Sequence, residues 1–582
     1  MTYQAPVDDI LAALKAAGAL APDMMNAAVD EETVRAILEE AGNFATGVLD
    51  PLNRLGDKTG SHLEDGRVIT PPGWVDAYRQ FADAGWPGVP CPAEYGGQNL
   101  PAVVAMGVCE IWNAANMAFG MCPLLTNGAI DALHIGGSEE LKSRFLPHMI
   151  SGRWTGTMNL TEPQAGSDLN AVTTRAVPLD DGTYHLFGTK IFISYGEHDL
   201  TGNIIHLVLA RLPDAPPGTR GISLFLVPKY LVGDDGEPGE RNDVVCAGLE
   251  HKLGIVASPT CVMKFGENGG ATGYLVGEEN RGLHVMFIMM NAARLAVGVQ
   301  GVAIAERATQ KAVAFARERR QGRTSGSKTM VPIIAHPDVR RMLLTMRALT
   351  QAARGICMAT AAATDLANTA SDPDVRARAA GRVAILTPVA KSFSTDVAVE
   401  VASLGVQVHG GMGFVEETGA AQYLRDARIL PIYEGTNGIQ AIDLVTRKLP
   451  LDGGYAVTSY FADVIDTLRL LREAELAGLD FAVEQLGRAL EALATATDWI
   501  GRNMQSKPDL ALAGATPYLQ LFALVAGADA LARAVLRAGN EPEPATLLRF
   551  FAENRSVAAW GLAASIMAGH AAVLDADLEG LA

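Results

Sequence analysis

The sequence has few of the features that mark secreted, metal-binding and disulfide-rich proteins. It has six cysteines in 582 residues, and no two of them form a Cys-x-x-Cys pair. Such scattered cysteines are typical of reduced, buried thiols in a cytoplasmic protein, and they argue against a disulfide framework or a zinc site. We therefore expect no metal site. The cysteines are Cys91, Cys109, Cys122, Cys246, Cys261 and Cys357.

Positive charge is also scarce, with 47 Lys and Arg against 65 Asp and Glu and a formal net charge of −18. This balance argues against nucleic acid or an anionic membrane as the main partner. Any phosphate group of a ligand must then be bound by a local basic spot or by backbone N–H groups.

Long apolar runs are missing as well. The first residues, Met1 to Asp9, show no basic segment before an apolar core, so we expect no signal peptide. No uninterrupted run of 18 apolar residues occurs, so we expect no integral membrane segment and a cytoplasmic protein.

What remains is an ordinary globular composition, with 49% hydrophobic and 19% charged residues, in a chain long enough for several domains. Alanine-rich segments broken by proline and glycine predict helices up to about residue 155. Short β-rich runs bounded by Gly, Pro and Asp then predict an antiparallel β domain. These runs are Tyr184–Ile193, Ile204–Leu212, Ile222–Val227 and Thr260–Phe265.

Helical periodicity returns after residue 283, where apolar residues recur at steps of three and four along one helix face. These residues are Leu295, Val299, Val302, Ala305, Ala308 and Ala312. A bundle to residue 448 and a linker at 449–454 follow, and the last 130 or so residues indicate about four amphipathic helices. We therefore predict four domains, at residues 1–155, 156–282, 283–448 and 455–582.

The segment Arg425–Asn437 places one carboxylate, Glu434, between apolar or aromatic residues and a glycine. Desolvation raises the pKa of a carboxyl group and makes its ionised form a stronger base. Gly435 lets a ligand approach the backbone closely. This pattern suits a general base that removes a weakly acidic carbon-bound proton, although Glu-Gly-Thr-Asn is also ordinary turn chemistry.

Two further motifs precede it. Leu160–Asp168 reads Leu-Thr-Glu-Pro-Gln-Ala-Gly-Ser-Asp and indicates a rigid polar loop at the start of the β domain, or a simple turn. Gln407–Gly413 reads Gln-Val-His-Gly-Gly-Met-Gly. A lone Gly-Gly-x-Gly is weak evidence for a phosphate loop, and this one does not follow a strand as a Rossmann fingerprint does.

In this order, the three motifs resemble those of the acyl-CoA dehydrogenases, and the resemblance covers roughly residues 80 to 450. The resemblance implies an α+β fold made of an N-terminal helical domain, a middle antiparallel β domain and a C-terminal helical bundle. It implies an FAD enzyme that desaturates acyl-CoA thioesters at Cα–Cβ and passes electrons to an electron-transferring flavoprotein. A homo-oligomer, dimer or tetramer, is implied too, because neighbouring subunits share the FAD site.

The extra helical C-terminal domain resembles that of a longer branch of the family. The resemblance to this branch favours, as the substrate of this chain, a short thioether acyl group, 3-methylthiopropanoyl-CoA of the dimethylsulfoniopropionate demethylation pathway, over ordinary short- or medium-chain acyl-CoA.

The resemblance also assigns site residues. Flavin contacts are implied for Met158, Leu160, Thr161, Ser167, Phe192, Ser194 and Thr436. Contacts with the FAD of the neighbouring subunit are implied for Arg319, Gln321, Gln407, Gly410 and Gly411. Contacts with the CoA substrate are implied for Ser167, Asn291, Arg294 and Gly435.

Ordinary structural interpretations stay open for several of these residues. Phe192 is also compatible with a core position, and Arg294 with a solvated charge on a helix face. The basic residues around Arg319 suit a helix C-terminus through the macrodipole alone. The sequence departs from the family at Gln164, which replaces a usual glycine, and at 324–330, which looks like an insertion.

By this resemblance Glu434 takes the α-proton while the β-hydrogen leaves as hydride to the flavin. The Glu434 backbone N–H and a flavin ribityl hydroxyl polarise the thioester carbonyl. Some branches carry the base at the position of Ala293, where alanine cannot serve. An acyl-CoA oxidase shares these motifs and stays open. A desulfinating relative or an inactive FAD-binding scaffold is disfavoured by the intact Glu434.

Overall fold

The computed structural model describes residues 2–20, 29–233, 235–539 and 541–581. These residues form two compact units. The helical unit comprises the described residues of Met1–Gly42, Ala102–Ala114 and Arg294–Ala582, and the mixed unit comprises Asn43–Pro101 and Ala115–Ala293. Each unit is made of separate segments of the chain, so the two units divide the chain differently from the four predicted domains. The four domains stay a prediction.

Helices account for most of the helical unit and also occur in the mixed unit. The α-helices, numbered in chain order, are α1 (Val7–Ala16), α2 (Glu31–Phe44), α3 (Asp50–Thr59), α4 (Trp74–Asp83), α5 (Ala102–Gly136), α6 (Glu139–Ile150), α7 (Gly282–Glu318), α8 (Pro337–Thr369), α9 (Pro373–His409), α10 (Gly411–Phe414), α11 (Ala420–Ala427), α12 (Asn437–Asp443), α13 (Tyr455–Glu473), α14 (Asp480–Ser506), α15 (Pro508–Ala513), α16 (Ala515–Ala538), α17 (Pro542–Asn554), α18 (Ala559–Ala568) and α19 (His570–Leu574).

The strands lie in the mixed unit. They are β1 (His62–Glu64), β2 (Arg67–Ile69), β3 (Trp154–Asn159), β4 (Arg175–Pro178), β5 (Tyr184–Ser194), β6 (Asn203–Ala210), β7 (Ser223–Pro228), β8 (Tyr230–Val232), β9 (Pro238–Arg241), β10 (Val244–Leu249), β11 (Thr260–Phe265) and β12 (Ala271–Val276). One eight-stranded sheet has the order β10-β11-β5-β12-β7-β6-β3, with β4 also paired to β5. β1-β2 and β8-β9 form separate two-stranded sheets.

The four predicted β runs correspond to β5, β6, β7 and β11. The ladder pairs of the described strands are antiparallel except for β3 and β6, which are parallel. A parallel pair needs a long connection. Here residues 160–202, which include β4 and β5, join the two strands.

β6 and β7 are buried along their whole length because both faces of the sheet are covered. Ile205, Leu207 and Leu209 pack into a core with side chains of α5, α6 and α7. Val208 and Ala210, on the opposite face, pack into a second core with β5 and β11 side chains. A strand buried on both faces has a continuous apolar sequence, which is why β6 shows no alternation of polar and apolar residues.

In the helical unit, α7, α8 and α9 form the centre of the bundle. The predicted apolar stripe of α7 is confirmed, since all six of its residues are buried. Gly301 permits the close approach of α7 to α9, because a Cβ atom there would lie 2.4 Å from the carbonyl oxygen of Ser394.

The C-terminal extension packs against this bundle within the same unit. A Cβ atom on Gly355 of α8 would lie 2.7 Å from the Cβ of Ala530 of α16, so these two helices are in close contact. The described residues of the extension contain seven α-helices, more than the four or so predicted. Four of them are the longest, α13, α14, α16 and α17. The other three, α15, α18 and α19, have 6, 10 and 5 residues and are too short to show a clear periodicity.

Three helices, α5, α7 and α16, are long and apolar enough to span a membrane by length and composition. Between 72% and 83% of their most apolar windows is buried inside the structure, so protein already covers most of these side chains. The absence of an integral membrane segment stays a prediction.

Candidate active site

Glu434 lies in a short segment between α11 and α12 and has an unusual backbone conformation. Its φ is +54°, and that of Gly435 is +79°, so two successive residues are left-handed. A non-glycine residue in this region is strained and persists where its surroundings fix it. Thr436 then caps α12, since its hydroxyl accepts a hydrogen bond from the Ile439 N–H at 3.2 Å.

The carboxyl group of Glu434 is tuned for proton transfer near neutral pH. Burial raises its pKa to about 7, while the positive charges of Arg294 and Lys391 act in the opposite direction. The side chain is nevertheless partly accessible to solvent. A carboxylate with a pKa near the working pH can accept a proton and is still ionised in a useful fraction of molecules.

Arg294 is not a solvated charge on a helix face. It is 4% exposed, and its guanidinium donates to Asp443 Oδ2 at 3.2 Å. Burial lowers its pKa from the ordinary arginine value, although Asp443 and Glu434 oppose that change. A predicted substrate residue is therefore a buried cation that acts electrostatically on Glu434, while its contact with substrate stays a prediction.

Sequence reasoning missed Lys391 of α9, which is fully buried. Its Nζ donates to the Gly435 carbonyl oxygen and to Asn437 Oδ1, each at 2.9 Å. Burial lowers its pKa to about 7. The signal in the sequence was a lysine directly after the mostly apolar segment Ile385–Ala390, within a long helix whose neighbouring residues are mostly small or apolar.

Tyr433, next to the candidate base, was also missed as a contact. Its hydroxyl donates to Gln300 Oε1, and the Gln300 amide donates to Asn113 Oδ1 at 3.0 Å. Burial raises the pKa of Tyr433 well above its usual range, so the phenol stays protonated as a donor. This chain of hydrogen bonds ties the segment before Glu434 to α7 and α5.

In the mixed unit, the predicted polar loop is organised around the Glu162 carboxylate. It accepts from Lys190 Nζ at 2.8 Å, from Gln164 Nε2 at 2.6 Å, and from the N–H and hydroxyl groups of Thr173 and Thr174 at 2.6–3.0 Å. These donors hold the pKa of Glu162 at about 2 although its burial acts to raise it. Gln164, the residue that departs from the family, is thus one of the donors that fix this loop.

Phe192 is not a core residue. It is 59% exposed and has a φ of +60° at an irregularity in the pairing of β5 with β11. The preceding N–H, of Ile191, donates to the Thr161 carbonyl oxygen at 2.9 Å, and Lys190 Nζ donates to the Leu160 carbonyl oxygen at 3.1 Å. The strand just before Phe192 is thereby tied to the Leu160–Thr161 backbone, and the exposed Phe192 ring offers a flat apolar surface on which a planar flavin ring could stack.

Three further predicted flavin residues lie in the mixed unit, on β3, on β5 and in the polar loop. Met158 is buried at the end of β3, and Ser194 ends β5 opposite Thr260. Ser167 is exposed in the loop after Glu162.

Arg319 and Gln407 lie in segments that the helical unit brings together. Arg319 directly follows α7, and Gln407 is in the last turn of α9. The rings of Phe315 and His409 stack at 4.5 Å between these two helix ends. Arg319 and Gln407 are exposed, as suits contact with a ligand outside this chain, but their roles stay predictions.

The loop after α7 closes on itself. The Gln321 N–H donates to the Val331 carbonyl oxygen at 3.0 Å, and the Val331 N–H donates to that of Gly322 at 3.2 Å. The apparent insertion at 324–330 is therefore an exposed excursion that returns to the same place. Gly410 and Gly411, at the end of α9, are exposed, and Gly410 has a φ of +61°.

Two positions on α7 complete the predicted set. Asn291 is exposed, whereas Ala293 is buried in the apolar core of the mixed unit and offers no base. In the described residues, no group of three or more His, Cys, Asp or Glu side chains could hold a metal ion. All six cysteines are free thiols.

The Glu162 cluster makes a testable contribution to acid stability. The folded pKa of Glu162, about 2, lies below the ordinary 4.5, so this stabilisation is complete above pH 4.5 and is lost as the pH falls towards 2. A difference of this size corresponds to about 3 kcal/mol. We expect Glu162→Gln to lower the free energy of unfolding at pH 7 by an amount of this order, and by less at pH 3, as measured by urea unfolding.

Glu140→Gln, which changes an exposed glutamate on α6, is the matched control and should leave both values nearly unchanged. Equal losses of unfolding free energy for Glu162→Gln at pH 7 and pH 3 would contradict a stabilising role of the ionised Glu162 carboxylate.

Four family models match successive parts of the chain. The acyl-CoA dehydrogenase N-terminal domain matches residues 31–153, the middle domain 157–267 and the C-terminal domain 280–449. A domain described as acetyl-CoA dehydrogenase C-terminal like matches residues 460–577.

Individual proteins match over most of their length. The 3-methylmercaptopropionyl-CoA dehydrogenase of Ruegeria pomeroyi is 52% identical over 93% of each chain. A butyryl-CoA dehydrogenase of Syntrophomonas wolfei is 37% identical over 81% of this chain and 80% of its own. The crystal structure of Caenorhabditis elegans ACDH-11 in complex with C11-CoA shares the fold, with a TM-score of 0.80 over 99% of this chain and 96% of that one, at 21% identity.

Proposed function

The chain belongs to the acyl-CoA dehydrogenase family, and from this premise we propose that it oxidises 3-methylthiopropanoyl-CoA to the corresponding 2-enoyl-CoA. The structural observation that carries the reaction type is Glu434, a left-handed residue whose carboxyl pKa is raised to about 7. The 52% identity to the Ruegeria pomeroyi enzyme, over 93% of both chains, supports the substrate.

In this proposal Glu434 is the general base. Its ionised carboxylate takes a proton from Cα of the thioester, and its backbone N–H donates to the thioester carbonyl oxygen, where negative charge develops. Because the base must be ionised, the rate of substrate oxidation should rise with pH through about 7. Arg294 and Lys391 stabilise the ionised form.

FAD is the cofactor of this family, and when bound it supplies the acceptor for the hydride that leaves Cβ. We propose that Phe192 provides a stacking surface for its ring and that Thr161 bonds its polar edge. Met158, Leu160, Ser167, Ser194 and Thr436 are the further proposed contacts. The exposure of the Phe192 ring and the hydrogen bond from the adjacent Ile191 N–H to the Thr161 carbonyl oxygen support this assignment.

The proposed assembly is a homo-oligomer in which Arg319, Gln321, Gln407, Gly410 and Gly411 bind the FAD of a neighbouring subunit. The stacking of Phe315 on His409 supports this, because it brings the two exposed segments to one place. Asn291, Arg294, Gly435 and Ser167 are proposed contacts of the CoA substrate.

An electron-transferring flavoprotein is the proposed electron acceptor, and the cytoplasm is the proposed location. We also propose the four-domain division at 1–155, 156–282, 283–448 and 455–582, whose limits lie within about 30 residues of those of the matched family models.

The substrate is tested by comparing kcat/KM for four thioesters with an artificial electron acceptor. The 3-methylthiopropanoyl chain is isosteric with pentanoyl, one chain atom longer than butanoyl and much shorter than octanoyl. One methylene in an apolar pocket changes kcat/KM by roughly 10–200-fold. We therefore expect at least a tenfold preference for 3-methylthiopropanoyl-CoA over butanoyl- and octanoyl-CoA.

Pentanoyl-CoA is the matched control, because it differs only by a methylene in place of the sulfur atom. A higher kcat/KM for butanoyl-CoA would favour the activity named for the Syntrophomonas wolfei relative. Rapid reoxidation of the substrate-reduced enzyme by oxygen would instead favour an acyl-CoA oxidase. Colourless protein that cannot be reconstituted with FAD would refute the proposal as a whole.

A further inference from the structure

The carbonyl groups of Glu434 and Gly435 each accept a hydrogen bond from a side chain outside the segment. Gln440 Nε2 donates to the Glu434 carbonyl oxygen at 3.1 Å, and Lys391 Nζ donates to that of Gly435 at 2.9 Å. A left-handed residue other than glycine, such as Glu434, is strained, and that strain persists only where other contacts fix the backbone. These two hydrogen bonds are contacts of that kind.

Lys391 reaches this segment from α9 and is itself fixed there. Its second hydrogen bond goes to Asn437 Oδ1 at 2.9 Å. The Asn437 amide then donates to the Ser392 carbonyl oxygen at 3.2 Å, to Thr395 Oγ1 at 3.0 Å and to Asp396 Oδ1 at 2.8 Å. Asn437 therefore connects the ammonium group to the neighbouring turn of α9, and it is the first residue of α12.

A fully buried ammonium group is costly unless its hydrogen bonds and charge are compensated. Both of these bonds of Lys391 go to uncharged oxygen atoms, so the compensating charge must come from neighbouring groups. The charged groups that act on Lys391 are Glu434, Asp396 of its own helix and Arg294 of α7, and only the first two favour its charged form. The charge of Lys391 in turn lowers the pKa of Glu434.

We propose that Lys391 is a positioning residue, which holds the left-handed Glu434–Gly435 peptide through the Gly435 carbonyl group and keeps the Glu434 carboxylate aimed and ionised. This inference rests on the proposed role of Glu434 as the base. Lys391 makes no bond to the reacting atoms and acts through the backbone and the electrostatic field of Glu434. Because the charge of each group shifts the pKa of the other, a measured midpoint belongs to the pair.

The test is Lys391→Met, which keeps the aliphatic stem and removes both the donor and the charge. The rate of anaerobic flavin reduction by substrate is measured from pH 5.5 to 9. Loss of a nearby opposite charge raises a carboxyl pKa by about 1 unit or more. We expect the midpoint of the rate profile to move up by about 1 unit and the limiting rate to fall several-fold, with the KM for acyl-CoA little changed.

Lys391→Arg should recover part of the midpoint because it restores the charge. Lys264→Met, which changes a partly exposed lysine of β11, is the matched control and should leave the profile unchanged. FAD content, melting temperature and binding of the 2-enoyl-CoA product at pH 8 show whether each variant is folded with an intact site.

If Lys391→Met does not fold, Asn437→Ala serves instead. It keeps the ammonium group but removes the amide that orients it, so the rate should fall with a smaller shift of the midpoint. Suppose that Glu434→Gln is inactive in the same assay. Folded Lys391→Met with the wild-type rate and midpoint would then overturn the role of Lys391 but not the proposed function. The same result for Asn437→Ala would do so where Lys391→Met does not fold. A fully active Glu434→Gln would overturn the proposed function itself.

Discussion

Glu434→Gln should lose at least 10²–10⁴-fold in the rate of flavin reduction by substrate, the usual contribution of a positioned base. The amide fills the same volume and keeps hydrogen-bonding capacity, but it cannot accept the proton. No second base is available at the alternative position on α7, because Ala293 is buried in an apolar core. The measurement is anaerobic stopped-flow bleaching of the flavin absorbance.

FAD content and binding of CoA thioesters should persist in Glu434→Gln. Glu240→Gln, which changes an exposed glutamate of β9, is the matched control, and its flavin should bleach at the wild-type rate. If Glu434→Gln also bleaches at a near wild-type rate, Glu434 is not the base and the proposed mechanism is wrong.

Arg354→Met should cost about 3–5 kcal/mol of unfolding free energy, the typical result of removing one partner from a buried ion pair. Arg354 is fully buried in α8, and it donates to Glu110 at 2.6–3.1 Å and to Glu306 Oε2 at 2.8 Å. Both glutamates are buried as well, so the variant takes this cation from Glu110 and leaves Glu306 with the more distant Arg347, at 3.8 Å. Urea unfolding at pH 7.5 measures the loss.

This loss should depend on pH with a known sign. Burial already raises the pKa of Glu110, and removing Arg354 raises it further. A carboxyl group with a raised folded pKa destabilises the folded state above that pKa, and this cost disappears as the pH falls towards the unfolded value. The variant should therefore regain stability relative to wild type between pH 7.5 and pH 5.

Arg341→Met is the matched control on the same helix. Arg341 forms an exposed pair with Asp338, and such pairs contribute about 0–1 kcal/mol. Combining Arg354→Met with Glu110→Gln should recover part of the loss, because the buried charge of Glu110 is removed together with its cation. A loss that is independent of pH and unrelieved by Glu110→Gln would contradict the electrostatic explanation.

Local patterns predicted the elements well where one physical cause dominates. The apolar stripe of α7 and the β-rich runs at β5, β6, β7 and β11 could be predicted from the sequence, because burial imposes a period or an apolar run on it. The three short helices of the extension and the parallel pairing of β3 with β6 could not be predicted from local patterns. They depend on contacts with distant segments.

The residues of the candidate site also differ in whether local sequence patterns could identify them. Glu434 was identified because its carboxylate sits in an unusual local context next to Gly435. Lys391 was missed because its partners lie 44 and 46 residues further along the chain. Phe192 was compatible with a core position, and its exposure follows from an irregularity in the pairing of β5 with β11.

The sequence by itself determined the order of helical and β segments and singled out Glu434 as a candidate base, because these depend on residue type and local period. Its resemblance to the acyl-CoA dehydrogenases implied the reaction class. Only the tertiary structure decided how the base is tuned. The left-handed backbone of Glu434, its raised pKa and the buried cations of α7 and α9 arise when helices far apart in sequence exclude water around one segment. The energy of a charge depends on its surroundings in space, and residue order alone does not specify those surroundings.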